Sequence, residues 1–326
     1  MELDVVPLGP TGTKVSEIGF GTWRFGREID DGEIEVKRGR AFELLDAYAD
    51  SGGNFIDTAD SYGGGTAEEL VGDWLQNRDR EEYVLGSKIY WPTRGDDPNG
   101  RGLNRKHLRR QLALILDRLR TTYLDVLYIH GWDDDTPVDE LMRTLSVFVD
   151  DGRVNYLGTA TREPSAWRVV RANELARREG YEPFKLTQPR FNLVTRDIEC
   201  DYLEMCLDYG IGVLPCSPLA GGLLSGKYQR GEAPPDDSRA SIDESFADSY
   251  LREEYFDVVD VVEEVAEDTE ATPAQVALTW LLHHEEITAP IVGARTIDQL
   301  DEDLRASGLS LTDEQFAHIT EATRRE

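Results

Sequence analysis

Short runs rich in β-branched and aromatic residues alternate along this chain with longer stretches whose apolar residues recur every third or fourth position. The short runs are Ser16–Trp23, Asn54–Thr58, Tyr83–Lys88, Asp125–His130, Asn155–Thr159, Lys185–Gln188, Gly212–Ser217 and Pro290–Gly293, each read as a strand. Ahead of them, Val5-Val6-Pro7-Leu8 and the Gly-Pro-Thr-Gly sequence at 9–12 predict a β-hairpin. Helical faces are marked by Leu112, Leu116 and Leu119, by Leu141, Leu145 and Val149, and by Phe256, Val259, Val262 and Ala266. Capping residues stand where helices begin: Asn104 before Arg105, Thr272 before Pro273, and Thr312.

Strands separated by single helices pair in parallel through right-handed crossovers. Eight such units predict a (β/α)8 TIM barrel with an N-terminal hairpin, one domain spanning 1–326. An open Rossmann sheet is the alternative, but Gly19-Phe20-Gly21-Thr22 lacks the third glycine of the dinucleotide fingerprint. Two polar, Gly/Pro-rich stretches, 92–103 and 230–245, follow the third and seventh strands. They are expected as loops beside the substrate pocket, at the end where barrel active sites form.

Composition narrows the function. Apolar residues make up 40% of the chain, enough for a large core. With 64 acidic against 35 basic residues, the net charge of −29 disfavours nucleic acid and anionic membrane surfaces as partners. The acids are spread along the chain, and only six of the basic residues are lysines. An acidic, arginine-biased surface of this kind predicts adaptation to high salt. Cys200, Cys206 and Cys216 do not form a disulfide or zinc pattern and suit a reducing cytoplasm. No basic, apolar leader and no apolar run of ~20 residues is evident, which predicts a soluble cytoplasmic protein. Oligomeric state is not readable.

Four ionisable residues sit at or just past three consecutive strand ends: Asp57, Tyr62, Lys88 and His130. A lysine and an aspartate inside apolar strands are costly to bury singly, so each is expected to neutralise the other. The lysine cation pulls the tyrosine pKa down while desolvation pushes it up. A Tyr–Lys–Asp chain beside a histidine can give a proton to a carbonyl oxygen as hydride reaches the carbon. Each residue alone also has an ordinary structural reading; the clustering at one rim is what favours a shared site.

The segments at 8–23, 55–63 (Phe-Ile-Asp-Thr-Ala-Asp-Ser-Tyr-Gly), 86–88, 128–130, 217–228 and 292–296 together resemble the aldo-keto reductases. The resemblance implies NAD(P)H lying across the strand C-termini, Tyr62 as general acid tuned by Lys88 and Asp57, and His130 orienting the carbonyl. It also implies a cofactor site made of Gly21, Thr22, Trp23, Thr161, Gln188, Cys216, Ser217, Leu219, Gly221, Leu223, Gly293, Arg295, Gln299 and Asp303. Three positions depart from the family pattern. Ala160-Thr161 replaces a Ser-Asn pair that holds the carboxamide, Cys216 replaces a tyrosine that stacks on nicotinamide, and Asp303 replaces an asparagine facing adenine. Arg295 as partner of a 2′-phosphate favours NADPH and leaves NADH open. Trp23, Tyr90, Trp91 and Trp132 are candidates for the pocket of a small carbonyl or alcohol substrate. A cofactor-sensing regulatory protein of the same fold, with little turnover, is the second functional reading. A barrel that keeps these residues only for folding is the third.

Overall fold

The computed structural model describes residues 2–29, 32–93, 95, 97–161, 164–236, 238–242 and 244–324. An antiparallel hairpin, β1 (Val5–Pro7) and β2 (Lys14–Ser16), precedes an eight-stranded sheet. Its strands are β3 (Gly19–Gly21), β4 (Phe55–Asp57), β5 (Val84–Ile89), β6 (Leu124–Ile129), β7 (Val154–Thr159), β8 (Phe184–Thr187), β9 (Gly212–Val213) and β10 (Ile291–Val292). All are parallel, in the spatial order β10-β3-β4-β5-β6-β7-β8-β9. Parallel bridges Val213↔Ile287 and Cys216↔Ile291, with Ile291 N–H donating to Pro215 O at 2.9 Å, join β9 to β10 and close the barrel.

The helices are α1 (Arg38–Asp50), α2 (Thr66–Leu75), α3 (Arg105–Leu119), α4 (Val138–Asp150), α5 (Ala166–Glu179), α6 (Glu204–Tyr209), α7 (Arg239–Ile242), α8 (Glu244–Tyr250), α9 (Glu253–Thr269), α10 (Pro273–Leu282), α11 (Ile297–Leu304) and α12 (Asp313–Ala322). The predicted starts are used: Asn104 Oδ1 accepts from His107 N–H, and Thr272 and Thr312 form capping boxes with Gln275 and Gln315. Two expectations need correction. The run Ser16–Trp23 is not one strand, because Ser16 ends the hairpin and only Gly19–Gly21 joins the barrel. The stretch 230–245 is not all loop, since α7 and the first turn of α8 fall within it.

β5 and β6 are buried along their whole length, as strands covered on both faces must be. The barrel interior is packed by Phe55, Val84, Val126, Tyr128, Leu186, Leu214 and Ile291, together with Leu8 and Val15 of the hairpin. The hairpin thereby plugs the N-terminal end. Its turn comes so near β9 that a Cβ on Gly9, at φ +53°, would lie 2.8 Å from the Gly212 Cα. Outside the sheet, Leu112, Leu119, Leu141 and Leu145 fill the space under the helices as their spacing predicted, joined by Leu70, Val71 and Leu108, while Leu116 and Val149 are partly buried at its edge. Among the described residues no helix is long and apolar enough to cross a membrane.

Candidate active site

Side chains alternate between the two faces of a strand, so the inner-core residues fix which later residues also point into the barrel. Counting in twos from Phe55 gives Asp57, and from Val84 it gives Lys88. From Val126 and Tyr128 it gives His130, from Leu186 it gives Gln188, and from Leu214 it gives Cys216. Ala160, past β7, belongs to the same inner cluster. Six strand ends thus contribute one residue each to a layer at the C-terminal mouth.

Within that layer the charges are paired. Lys88 Nζ forms a buried ion pair with Asp57 Oδ2 and donates to Thr58 O at 2.9 Å. Gln188 Nε2 donates to the other Asp57 oxygen, Oδ1, at 2.8 Å. The mutual neutralisation expected of Lys88 and Asp57 is what the fold contains. Burial pulls the Lys88 ammonium down, but Asp57 and Tyr62 together more than reverse it, and the net direction is upward. Lys88 stays charged.

Tyr62 sits on the short turn between β4 and α2, with Lys88 Nζ 4.9 Å from its ring centroid and His130 edge-on at 6.0 Å. Desolvation outweighs the pull of Lys88, so the phenol is pushed up to about 12 rather than down. His130 goes the other way. Burial and the Lys88 charge lower it to about 3, which leaves a neutral imidazole at ordinary pH. Trp91, 46% exposed, stands edge-on to His130 at 6.2 Å and to Tyr90 at 5.2 Å. Of the other aromatic candidates, Trp132 packs on Phe184 and Trp23 lies elsewhere on the rim.

The expected cofactor residues fall along the mouth between β3 and β10. Gly21 packs against Ile291 and Val292, close under the chain. Thr22 is fully buried; its hydroxyl and amide both donate to Asp57 O, which braces β3 on β4. Thr161 is buried past β7, next to an Ala160 that has no polar group to offer. Cys216 bridges to Arg190 and Ile291. The cations Arg190 and Lys88 face its thiol, yet burial outweighs them and pushes it up.

The segment after Cys216 turns through positive φ at Ser217 (55°), Ala220 (49°), Gly221 (67°) and Gly222 (102°). Leu219 and Gly221 are partly open, whereas Leu223 is buried on the core side. Across the mouth, Gly293 is exposed, and Gln299 Oε1 accepts from the Arg295 amide at the start of α11. Asp303 is buried, and burial with Glu302 pushes its carboxyl up to about 8. At neutral pH it is therefore largely uncharged, with one donor and one acceptor as an asparagine would have.

Of the cations that assemble here, sequence reading finds Arg295 but not Arg24, Arg27, Lys227 or Arg239. Arg27 and Arg239 lie over the Trp23 ring, 4.2 and 4.8 Å from its centroid. Lys227 is pushed down to about 8 by burial and by Arg295 and Arg24. Arg24 is itself lowered by burial and by Arg295 and Arg27, against the pull of Glu35. In a chain of net charge −29, a group of cations that repel one another matches the donor set of a phosphate-bearing ligand. Lys227 lies within the Ser-Gly-Lys-Tyr end of the 217–228 segment and is one of six lysines, a signal that was available.

Eight parallel strands, a hairpin plug and an inner layer of Asp57, Lys88 and His130 beneath Tyr62 define a barrel of the oxidoreductase kind. The Aldo/keto reductase family profile matches residues 17–324, and the chain belongs to that family, whose members in general use NAD(P)H. It is 33% identical over 323 residues to norsolorinic acid reductase of Aspergillus flavus, covering 95% of this chain and 78% of the relative. It is 33% identical over 318 residues to an aryl-alcohol dehydrogenase of Pestalotiopsis microspora (96% and 80%). A probable voltage-gated potassium channel subunit beta of Oryza sativa subsp. japonica is 34% identical over 305 residues (92% and 89%).

Proposed function

We propose that this chain is a single-domain reductase that converts aldehydes or ketones to alcohols, reversibly, with NADPH as cofactor and Tyr62 as general acid. The observation that carries the reading is the inner layer of Asp57, Lys88 and His130 meeting Tyr62 at one mouth. Bound NADPH supplies the hydride, which is the cofactor's own chemistry. Everything else falls to the protein. Tyr62, held at about 12, keeps its proton at neutral pH, the form a donor to the carbonyl oxygen needs. Lys88 stabilises the phenolate that the transfer leaves behind, and Asp57 keeps Lys88 charged. Neutral His130 lies beside Tyr62, where a ring N–H can orient the same oxygen. Alcohol oxidation needs the phenolate at the outset, so that direction gains with rising pH.

Residues Arg24, Lys227 and Arg295 would hold cofactor phosphates, and their number favours NADPH over NADH. Trp91 beside His130 supports an aromatic carbonyl substrate, a class in keeping with the aryl-alcohol dehydrogenase among the relatives. The protein is proposed to work in the cytoplasm on small molecules. Turnover of NADPH with a panel of aryl aldehydes tests the reading. Tyr62→Phe should lower kcat by ~10²–10⁴-fold while cofactor fluorescence quenching stays as in the wild type.

The second reading, a cofactor-sensing regulatory subunit, is favoured by the apolar Ala160 and the non-stacking Cys216, and by relatives named as channel beta subunits. A wild type that quenches cofactor fluorescence yet reduces no aldehyde supports it.

A further inference from the structure

Outside the barrel wall, behind the Tyr62 turn, lies a buried polar cluster that the proposed chemistry does not use. Its centre is Arg118, near the end of α3. Arg118 Nη1 donates to Glu68 Oε2 at 3.0 Å and to Asp60 O at 3.3 Å. The same guanidinium lies directly under Gly65, where a Cβ would come within 2.4 Å of Arg118 Cζ. Gly65, at φ +104°, is the residue from which α2 begins. Asp60 and Gly65 are the two ends of the segment that carries Tyr62. One guanidinium therefore touches both.

The cluster is fixed from the other side as well. Glu68, fully buried, accepts from Ser87 Oγ at 2.6 Å, and Asp60 N–H donates to Lys88 O at 3.2 Å. Ser87 and Lys88 are neighbours on β5, so the strand that supplies the catalytic lysine also anchors the clamp. Asp60 itself is 1% exposed, and its carboxyl oxygens make no hydrogen bond of good geometry among the described residues, although the Gln111 side chain and the Ser61 amide lie near enough to favour its charged form. Buried carboxyl groups are normally well paired. One held so loosely, two residues from Tyr62, calls for a reason.

We propose that Arg118 and Asp60 are positioning residues for Tyr62: Arg118 ties the two ends of the 60–65 segment, and the buried Asp60 carboxyl lies beside the pair that Arg118 makes with Glu68. The charged groups facing Asp60 are Glu68 from α2 and Arg118 from α3, with Lys88 of β5 acting on Glu68 through the wall. Desolvation, then Glu68, push Asp60 up to about 8, against weaker opposite pulls from Gln111 and Arg118. When it ionises, two buried carboxylates compete for one guanidinium, and the contact that joins the two ends of the Tyr62 turn weakens. This inference rests on Tyr62 acting as the proton donor, so its test needs one arm that does not depend on turnover.

That arm is amide hydrogen exchange on the full-length protein. Arg118→Met should speed exchange in residues 58–66 by about 10-fold or more and leave β6 and α9 unchanged, with Arg118→Lys recovering part of the protection. With an aryl aldehyde, Arg118→Met should lower kcat by ~10–100-fold and barely move KM, since a displacement of about 1 Å can cost that much. Wild-type kcat at saturating cofactor should fall as pH rises through 8, and Asp60→Asn should flatten that limb. Tyr62 and His130 do not titrate there; Lys227 and Asp303, also near 8, lie in the proposed cofactor site, and saturating cofactor separates their titration from that of Asp60.

Unchanged exchange over 58–66 in folded Arg118→Met overturns the clamp, and an alkaline limb that persists in Asp60→Asn overturns the role of Asp60. Should Arg118→Met not fold, Glu68→Gln loosens the same guanidinium at equal volume and is read identically. A wild type that reduces no aldehyde retires the enzyme reading alone; exchange still decides the clamp.

Discussion

At the ends of β4, β5 and β8 the charges are matched one against another. Lys88 lies on Asp57, Gln188 takes the remaining carboxylate oxygen, and Thr22 braces the backbone beneath. Across the mouth, around β3 and β10, cations outnumber acids: Lys227 lies near Arg24 and Arg295, Arg24 and Arg27 share the one carboxylate of Glu35, and Arg27 and Arg239 lie over Trp23. The first region is electrostatically closed, and removing a member leaves a buried charge alone. The second holds its cations partly against their own repulsion. In the proposed reading, the region whose charges cancel handles the proton and the region with surplus cations holds the anion, and the two are told apart by that balance.

The sharpest way to break this comparison is to delete one lysine from each region. Lys88→Met strands Asp57 and should destabilise the fold by ~3–5 kcal/mol in denaturant titration. Lys227→Met should leave stability unchanged or raised. Equal losses from the two would end the distinction. Next in size, Arg295→Ala should weaken NADPH binding by about 10-fold while leaving NADH binding nearly unchanged, as measured by fluorescence titration. Equal affinity for both cofactors in the wild type, unaffected by the substitution, counts against the phosphate role.

A smaller effect concerns Asp303. Its folded pKa, about 8, lies above that of an unfolded aspartate near 4, so the folded state binds more protons between those values. Stability from this group is full below pH ~4 and is lost as pH rises through 8. Melting curves of Asp303→Asn and wild type should therefore diverge in favour of the variant between pH 5 and 9, by about a few degrees. Curves that run parallel across that range refute the shift. Last, transfer from molar to millimolar salt should lower the wild-type melting temperature, because screening of the −29 charge is lost. An unchanged melting temperature rejects salt adaptation.

How much of this was legible in the sequence follows from what each feature depends on. The barrel was readable because strand and helix periods are local, and the caps at Asn104, Thr272 and Thr312 are local chemistry. Asp57, Lys88 and His130 were readable because a charged residue ending an apolar strand stands out. Strand ends were harder: Ser16 and Gly19 belong to different sheets, a division made by packing rather than propensity. The direction of the Tyr62 shift was unreadable, since it depends on how completely folding removes water. The pairing of Arg27 and Arg239 on Trp23 was hidden for another reason: the two arginines lie far apart in the chain and meet only through the fold.

The hairpin bears on traffic. With Leu8 and Val15 packed into the barrel interior, one end of the cylinder is stoppered. Whatever enters must leave by the rim where it came in. The plug at the bottom and the packed interior above it together leave the C-terminal mouth as the open end of the barrel.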